Sequence, residues 1–172
     1  MENDKTSIKK IIIKYGIIYG IIFTIHDIIR YATGTAGMYY LWIFAPLDLF
    51  INIGIISYGI HSFKLDNNHF LKLRHALKIG FCIVLIGTSI RVLCDAFYFK
   101  VISPETIYEL ISPYEKSAIT KPIEQDSAIS RENNFILNIS LAYLFFYPFL
   151  GLLISLIAGA IMQKKQDVYK KN

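Results

Sequence analysis

Four apolar runs, roughly residues 11–31, 39–61, 79–101 and 135–162, limit what this chain can fold into. Each is long enough to cross a bilayer as a helix, since about 20 residues at about 1.5 Å each traverse a hydrocarbon core of about 30 Å. Within the runs apolar residues follow one another, as in FCIVLIGTSI and LAYLFFYPFLGLLISLIAGAIM. A helix or strand facing water would space them at its own period instead. The fold class expected is therefore all-α, an integral membrane four-helix bundle. It takes up residues 1–172 as one membrane domain, with a short helical extracytoplasmic segment, 102–134, between spans three and four.

The basic residues give an orientation. Lys5, Lys9, Lys10 and Lys14 precede the first run; Lys64, Lys72, Arg74 and Lys78 lie between the second and third; Lys164, Lys165, Lys170 and Lys171 follow the fourth. The opposite flanks hold only Arg30, Lys100, Lys116, Lys121 and Arg131. Cytoplasmic flanks of membrane helices are enriched in Lys and Arg, so both termini are expected in the cytoplasm and the protein in the inner membrane. The same placement explains the net charge of +5 without nucleic acid, because basic flanks meet anionic head groups. A signal peptide is disfavoured for the first run, which exceeds the usual apolar stretch of about 7–15 residues and carries His26, Asp27 and Arg30. Cys82 and Cys94 share the third run about 18 Å apart along a helix, too far for a mutual disulfide.

The outer segment carries Glu105, Glu109, Glu115, Glu124, Asp126 and Glu132. Ser103-Pro104 and Ser112-Pro113 read as helix starts, and Ser112 with Glu115 has capping-box spacing. Ile107, Leu110 and Ile111 would lie against the outer surface. Between spans two and three, Asp66, Asn67 and Asn68 favour a turn, and Phe70–Leu77 is expected at the interface, running into the third span.

Ionisable residues inside the runs are the main candidate site: His26, Asp27 and Arg30 in the first, Asp48 in the second, Arg91 and Asp95 in the third. A charge at mid-helix costs about 2.5–3.5 kcal/mol on insertion scales, so these groups should face inward and pair. Their depths agree with that. Arg91 stands about 18 Å above the start of its run, Asp95 about 6 Å higher, and Asp27 level with Asp95. Asp48 lies about 12 Å beneath the outer boundary. Arg91 and Asp95 share a helix face at i, i+4, as do His26 and Arg30. One network between spans one, two and three is expected. It is either structural, fixing which faces meet, or a proton, ion or small polar ligand site. Asp27 and Arg30 standing simply at the outer interface is the third possibility. Pro46 and Pro148 read as kinks, and Pro46 would free the Trp42 carbonyl toward the polar site.

Gly16 and Gly20, and Gly151, Ser155 and Gly159, repeat every four residues and mark helix-packing faces, within the bundle or between two protomers of a homo-oligomer. Tyr39, Tyr40 and Trp42, with Tyr98 and Phe99, read as an interfacial aromatic belt. His61, His69 and His75 do not recur on one helix face, so no metal is expected. Asn138-Ile139-Ser140 matches a glycosylation acceptor but falls inside the fourth run. No catalytic residue and no cofactor emerges from any spacing.

The segments KKIIIKYGIIYGIIF, GIISYGIHSFK, HALKIGFCIVLIG and FYFKVISPE, followed by a polar outer segment and a last span with a basic end, resemble the bacterial membrane proteins grouped as domain of unknown function 4199. The resemblance covers nearly the whole chain. It implies four spans, an inner-membrane location, no assigned activity and no catalytic residues. The resulting expectation is a small, non-enzymatic membrane protein that acts by contact. Its partners are membrane lipids and a membrane or envelope protein. The alternative is a transporter or channel subunit using the Asp/Arg network.

Overall fold

The computed structural model describes residues 2–36, 40–106, 110 and 125–163. They form four long helices: α1 (Glu2–Ala32), α2 (Leu41–Asp66), α3 (Leu73–Phe97) and α4 (Gln125–Met162). A π-helical turn, Tyr98–Ile102, extends α3. Four stretches, Ile8–Ala32, Trp42–Asp66, Leu73–Ile102 and Asn133–Met162, are long and apolar enough to cross a membrane. The chain is a multi-pass membrane protein.

Burial runs opposite to that of a water-soluble domain. Trp42, Leu93, Phe145 and Ile161 are 88%, 70%, 76% and 78% exposed, while Asn52, Thr88 and Arg91 are 0%, 0% and 1% exposed. An apolar exterior of this extent is matched by hydrocarbon, not by water. The core is a stripe on each helix. On α1 it reads Ile8, Ile12, Tyr15, Tyr19, Phe23, Asp27 and Arg30; on α3 it reads Ala76, Ile79, Gly80, Ile83, Val84, Gly87, Arg91 and Asp95. Steps of three and four keep one helix face inward. The charged residues therefore occupy core positions.

Close contacts fix the packing. Along α1, Gly16 and then Gly20 meet Ile86 and then Ile90 of α3, so these helices run the same way. Along α4, Gly151, Ser155 and Gly159 meet Val84, Gly80 and Ala76, so α4 runs against α3. Tyr15 and Tyr19 of α1 meet Ser62 and Asn52 of α2, which is antiparallel to it. α3 lies at the centre, flanked by α1 and α4, with α2 laid across them.

Several boundaries differ from the sequence expectation. The second helix runs on from residue 61 to Asp66 because Phe63 continues its buried stripe. The third helix already begins at Leu73, ahead of residue 79, and Leu71 just before it is buried in the core. The described part of the fourth helix begins at Gln125, ahead of residue 135. Phe99 is 3% exposed, so it does not belong to an outward belt; it follows Asp95 by four residues and packs on Tyr31. The turn at Asp66–Asn68 is formed, with Asn68 and His69 at φ 51° and 63°. A helical turn does start at Pro104, where the Ser103 hydroxyl donates to Glu105 at 2.9 Å. The Ser112–Glu115 capping box, Ile107, Ile111, Tyr39 and the basic residues after Gln163 lie outside the described residues.

Gly87 carries the tightest helix contact. A β-carbon there would run into the Tyr19 ring, whereas one at Gly54 meets nothing within 4 Å. Gly87→Val is expected to lose about 1–3 kcal/mol by overpacking. Gly54→Ala should be neutral or gain about 0.5–1 kcal/mol from reduced backbone entropy in the unfolded chain. Thermal unfolding of both variants in bicelles checks the contrast.

Candidate functional site

The polar core lies toward the end of the bundle where α1 turns into α2. Its centre is one ion pair. Arg91 Nε reaches Asp27 Oδ2 at 2.5 Å, and Nη2 reaches Oδ1 at 2.9 Å, a two-pronged contact between α3 and α1. Guanidinium and carboxylate match in shape, so both hydrogen bonds form at once. Aromatic faces surround the guanidinium: its carbon is 4.5 Å from the Tyr143 ring centre, 4.9 Å from Tyr147 and 5.1 Å from Phe23. Tyr143 and Tyr147 come from α4, so Arg91 joins three helices. Cation–π contacts add about 0.5–2 kcal/mol each where water is excluded.

Around this pair the structure gathers the other expected residues, with one exception. Asp95 Oδ2 is 4.0 Å from Arg91 Nε. His26 Nδ1 is 3.3 Å from Asp48 Oδ1 and 3.9 Å from Asp27 Oδ1, bringing α2 into the network. Arg30 stands apart. Its guanidinium lies 4.8 Å from the Phe44 ring centre, Nη2 points at the Thr35 carbonyl 3.5 Å away, and no carboxylate lies within 4.0 Å of it among the described residues. It sits in the last turn of α1, where the loop carbonyl is closer than the acids one turn back. Pro46 and Trp42 are also turned outward, and among the described residues nothing in the cluster bonds the Trp42 carbonyl.

Below the cluster run two polar rungs between α1 and α2. Tyr19 donates to Asn52 Oδ1 at 2.7 Å, and Asn52 Nδ2 donates to the Asp48 carbonyl at 2.7 Å. One turn further, Tyr15 and Ser62 share a hydrogen bond of 2.8 Å. Tyr31 stacks on Tyr98, with ring centres 5.1 Å apart, and covers the far end of the site.

Three carboxylates, those of Asp27, Asp48 and Asp95, surround a single paired arginine. Both oxygens of Asp27 are engaged, but Asp48 Oδ1, Asp95 Oδ2 and both nitrogens of His26 make no hydrogen bond. Buried polar groups are normally satisfied, so these unfilled atoms are where the site has capacity left. Elsewhere, Ile53, Ser57, Ile154, Ile157, Ala158 and Ile161 line an apolar groove of about 220 Å³ between α2 and α4, away from the cluster. His61 and His69 are exposed, and His75 meets the Phe63 ring edge-on.

Sequence reasoning passed over Asn52, Tyr19, Tyr143 and Tyr147, and the partner glycines Gly80 and Gly87. Their signals were present. Asn52 is an amide four residues from Asp48 inside an apolar run, Tyr143 and Tyr147 share a face, and two turns separate Gly80 from Gly87. The five small residues singled out from their spacing lie at the α1–α3 and α3–α4 seams.

Arg91→Leu leaves Asp27 buried without its partner and is expected to cost about 3–5 kcal/mol. Adding Asp27→Asn to it should restore more than half of that loss, since the stranded charge is gone. Denaturant unfolding in lipid bicelles for the two singles and the double gives the comparison.

A family model described as "Protein of unknown function (DUF4199)" matches residues 14–164. No curated protein and no solved structure matches the chain.

Proposed function

The chain belongs to the DUF4199 family of proteins of unknown function, and from that premise we propose that it is a small non-enzymatic component of the inner membrane that works by contact with other membrane or envelope components. The observation that carries this reading is the direct pairing of the strongest buried charges with each other. Asp27 and Arg91 are held on each other and flanked by rings from α1 and α4, an arrangement that joins three helices and leaves Arg91 Nη1 alone of the pair's polar side-chain atoms without a hydrogen bond. Both termini are assigned to the cytoplasm. The support is the Lys/Arg excess at the chain start, between Lys64 and Lys78, and at the chain end, three flanks that agree. Residues 103–132, with their acidic excess, are then extracytoplasmic and form the contact surface; lipids fill the apolar exterior, and a second copy is a candidate partner.

In-membrane cross-linking through residues 103–132 should capture a discrete partner. Deleting that segment should abolish capture while leaving the unfolding midpoint of the bundle within a few degrees of the intact protein. Reporter fusions at Tyr114 and at either terminus should fall on opposite sides of the membrane. Tyr114 on the side of the termini would overturn the orientation.

The unfilled oxygens of Asp48 and Asp95 favour a second reading, a transporter or channel subunit. Ionisable groups inside membranes often mark ion pathways. On this reading Asp48→Asn or Asp95→Asn abolishes flux in reconstituted vesicles while the protein stays folded; on the contact reading neither changes partner capture.

A further inference from the structure

We propose that the groove between α2 and α4 seats one acyl chain of an anionic phospholipid, with Lys64 meeting its phosphate at the basic end of the bundle. The site requires neither the protein partner nor the ion pathway considered above.

The groove has a buried floor and exposed rims. Ile154 and Ala158 of α4 form the floor; Ile53 of α2 and Ile157 and Ile161 of α4 form the rims. Ser57 is the one polar side chain among the lining residues. The opening therefore faces sideways, into the hydrocarbon around the four spans. Left empty, such a groove forfeits dispersion contacts, and a hydrocarbon chain restores them. Its width admits a chain and excludes a helix. Ile154 to Ile161 is about 10 Å along the axis, so about 220 Å³ gives a cross-section of about 20 Å². A helix about 10 Å across needs about 80 Å².

Depth and charge select the lipid. Lys64 follows Ser57 by seven residues and Ile53 by eleven, which returns it to the groove's side of α2. From Ile53 to Lys64 is about 16 Å, close to the ~15 Å that one leaflet contributes to the hydrocarbon core. A phosphate at Lys64 thus hangs its chain past Ser57 and down to Ile53. A lysine at this depth lays its stem on the apolar wall and keeps its ammonium among the head groups. Among the described residues no carboxylate lies within ion-pair distance of Lys64. Asp66, two positions on, falls on the other side of the helix.

More positive charge gathers at this end. Gly159 meets Leu73 and Ala76, which puts the start of α3, with Lys72 and Arg74, beside the end of α4. Lys164 and Lys165 follow Met162 in the sequence. Basic pockets between membrane helices take anionic head groups. A zwitterionic lipid brings the same tail but no net charge to this end, so the anionic lipid is the preferred occupant.

The test places the full chain in bilayers of phosphatidylcholine and phosphatidylglycerol, one of the two brominated so that it quenches tryptophan on contact. Trp42, the one native tryptophan, stands at the far end of α2 and is removed by Trp42→Phe. Ile157→Trp then reports from the groove rim. Ile13→Trp, at an exposed position beside Lys10 and Lys14, reports from ordinary lipid at the same basic end. Phosphatidylglycerol is expected to be preferred more strongly at Ile157 than at Ile13. Lys64→Gln should lower the preference at Ile157 about fivefold and leave Ile13 unmoved, while Lys64→Arg retains it. Equal preference at the two positions, or a preference at Ile157 that survives Lys64→Gln, overturns the site. So does a rim tryptophan quenched by neither lipid, the result expected if a second copy covers the groove. Native mass spectrometry of the unaltered chain, released from vesicles holding equal amounts of the two lipids, decides even if a tryptophan variant fails to fold. One phosphatidylglycerol kept per chain and lost in Lys64→Gln supports the site; none kept, or both lipids kept equally, overturns it. Neither measurement involves a protein partner or ion flux, so failure of the site leaves both functional readings untouched.

Discussion

A carboxylate and a guanidinium facing each other in a medium that solvates neither hold the rest of this structure in place. Alone, each would make its own helix costly to keep in hydrocarbon; together they make the α1–α3 contact obligatory. The geometry suits that role. Two hydrogen bonds fix the relative angle of Asp27 and Arg91, and rings from α1 and α4 occupy the guanidinium faces that water would otherwise cover. A lysine has neither the fork nor the flat face, so the position demands arginine. The pair thus specifies partners and rotation more than it adds net stability.

Small residues supply what the ion pair cannot. In a bilayer there is little hydrophobic gain in pressing two apolar helices together, so association depends on close fit. α3 has that fit on two sides. Gly16 and Gly20 admit Ile86 and Ile90 on one, and Gly80 receives Ser155 on the other. The Tyr19 ring over Gly87 sits one turn below Arg91 and also carries the hydroxyl that holds Asn52. Steric and polar contacts are therefore parts of one seam, and a change in helix spacing there would alter the hydrogen bonds beside the charged cluster.

Much of this was readable from residue order. The apolar runs announced four membrane-crossing helices, since length and composition alone set that property. The depth of Asp27 and Asp95 beside Arg91 followed from the rise of a helix, and it matched the gathering of these side chains. Rotation was not readable. Arg30 shares a face with His26, and both meet Phe44, yet Arg30 turns its guanidinium to the Thr35 carbonyl in the following loop and not to an acid. Phe99 carries a belt residue's chemistry and sits at a core position, which only the phase of α3 reveals. Tyr143 and Tyr147 were hidden among eight consecutive residues rich in aromatics, where nothing in the composition says which rings turn inward.

The separation of Asp27 from Arg91 by 64 residues has a consequence for synthesis. A ribosome working at about 5–20 residues per second needs roughly 3–13 s to travel that distance. For that interval the first helix has left the ribosome with its carboxylate while the arginine does not yet exist. The nascent chain must shelter an acidic group meanwhile, by staying at the insertion machinery or by keeping the head-group region within reach. Assembly of this bundle is for that reason bound to the order in which its helices are made.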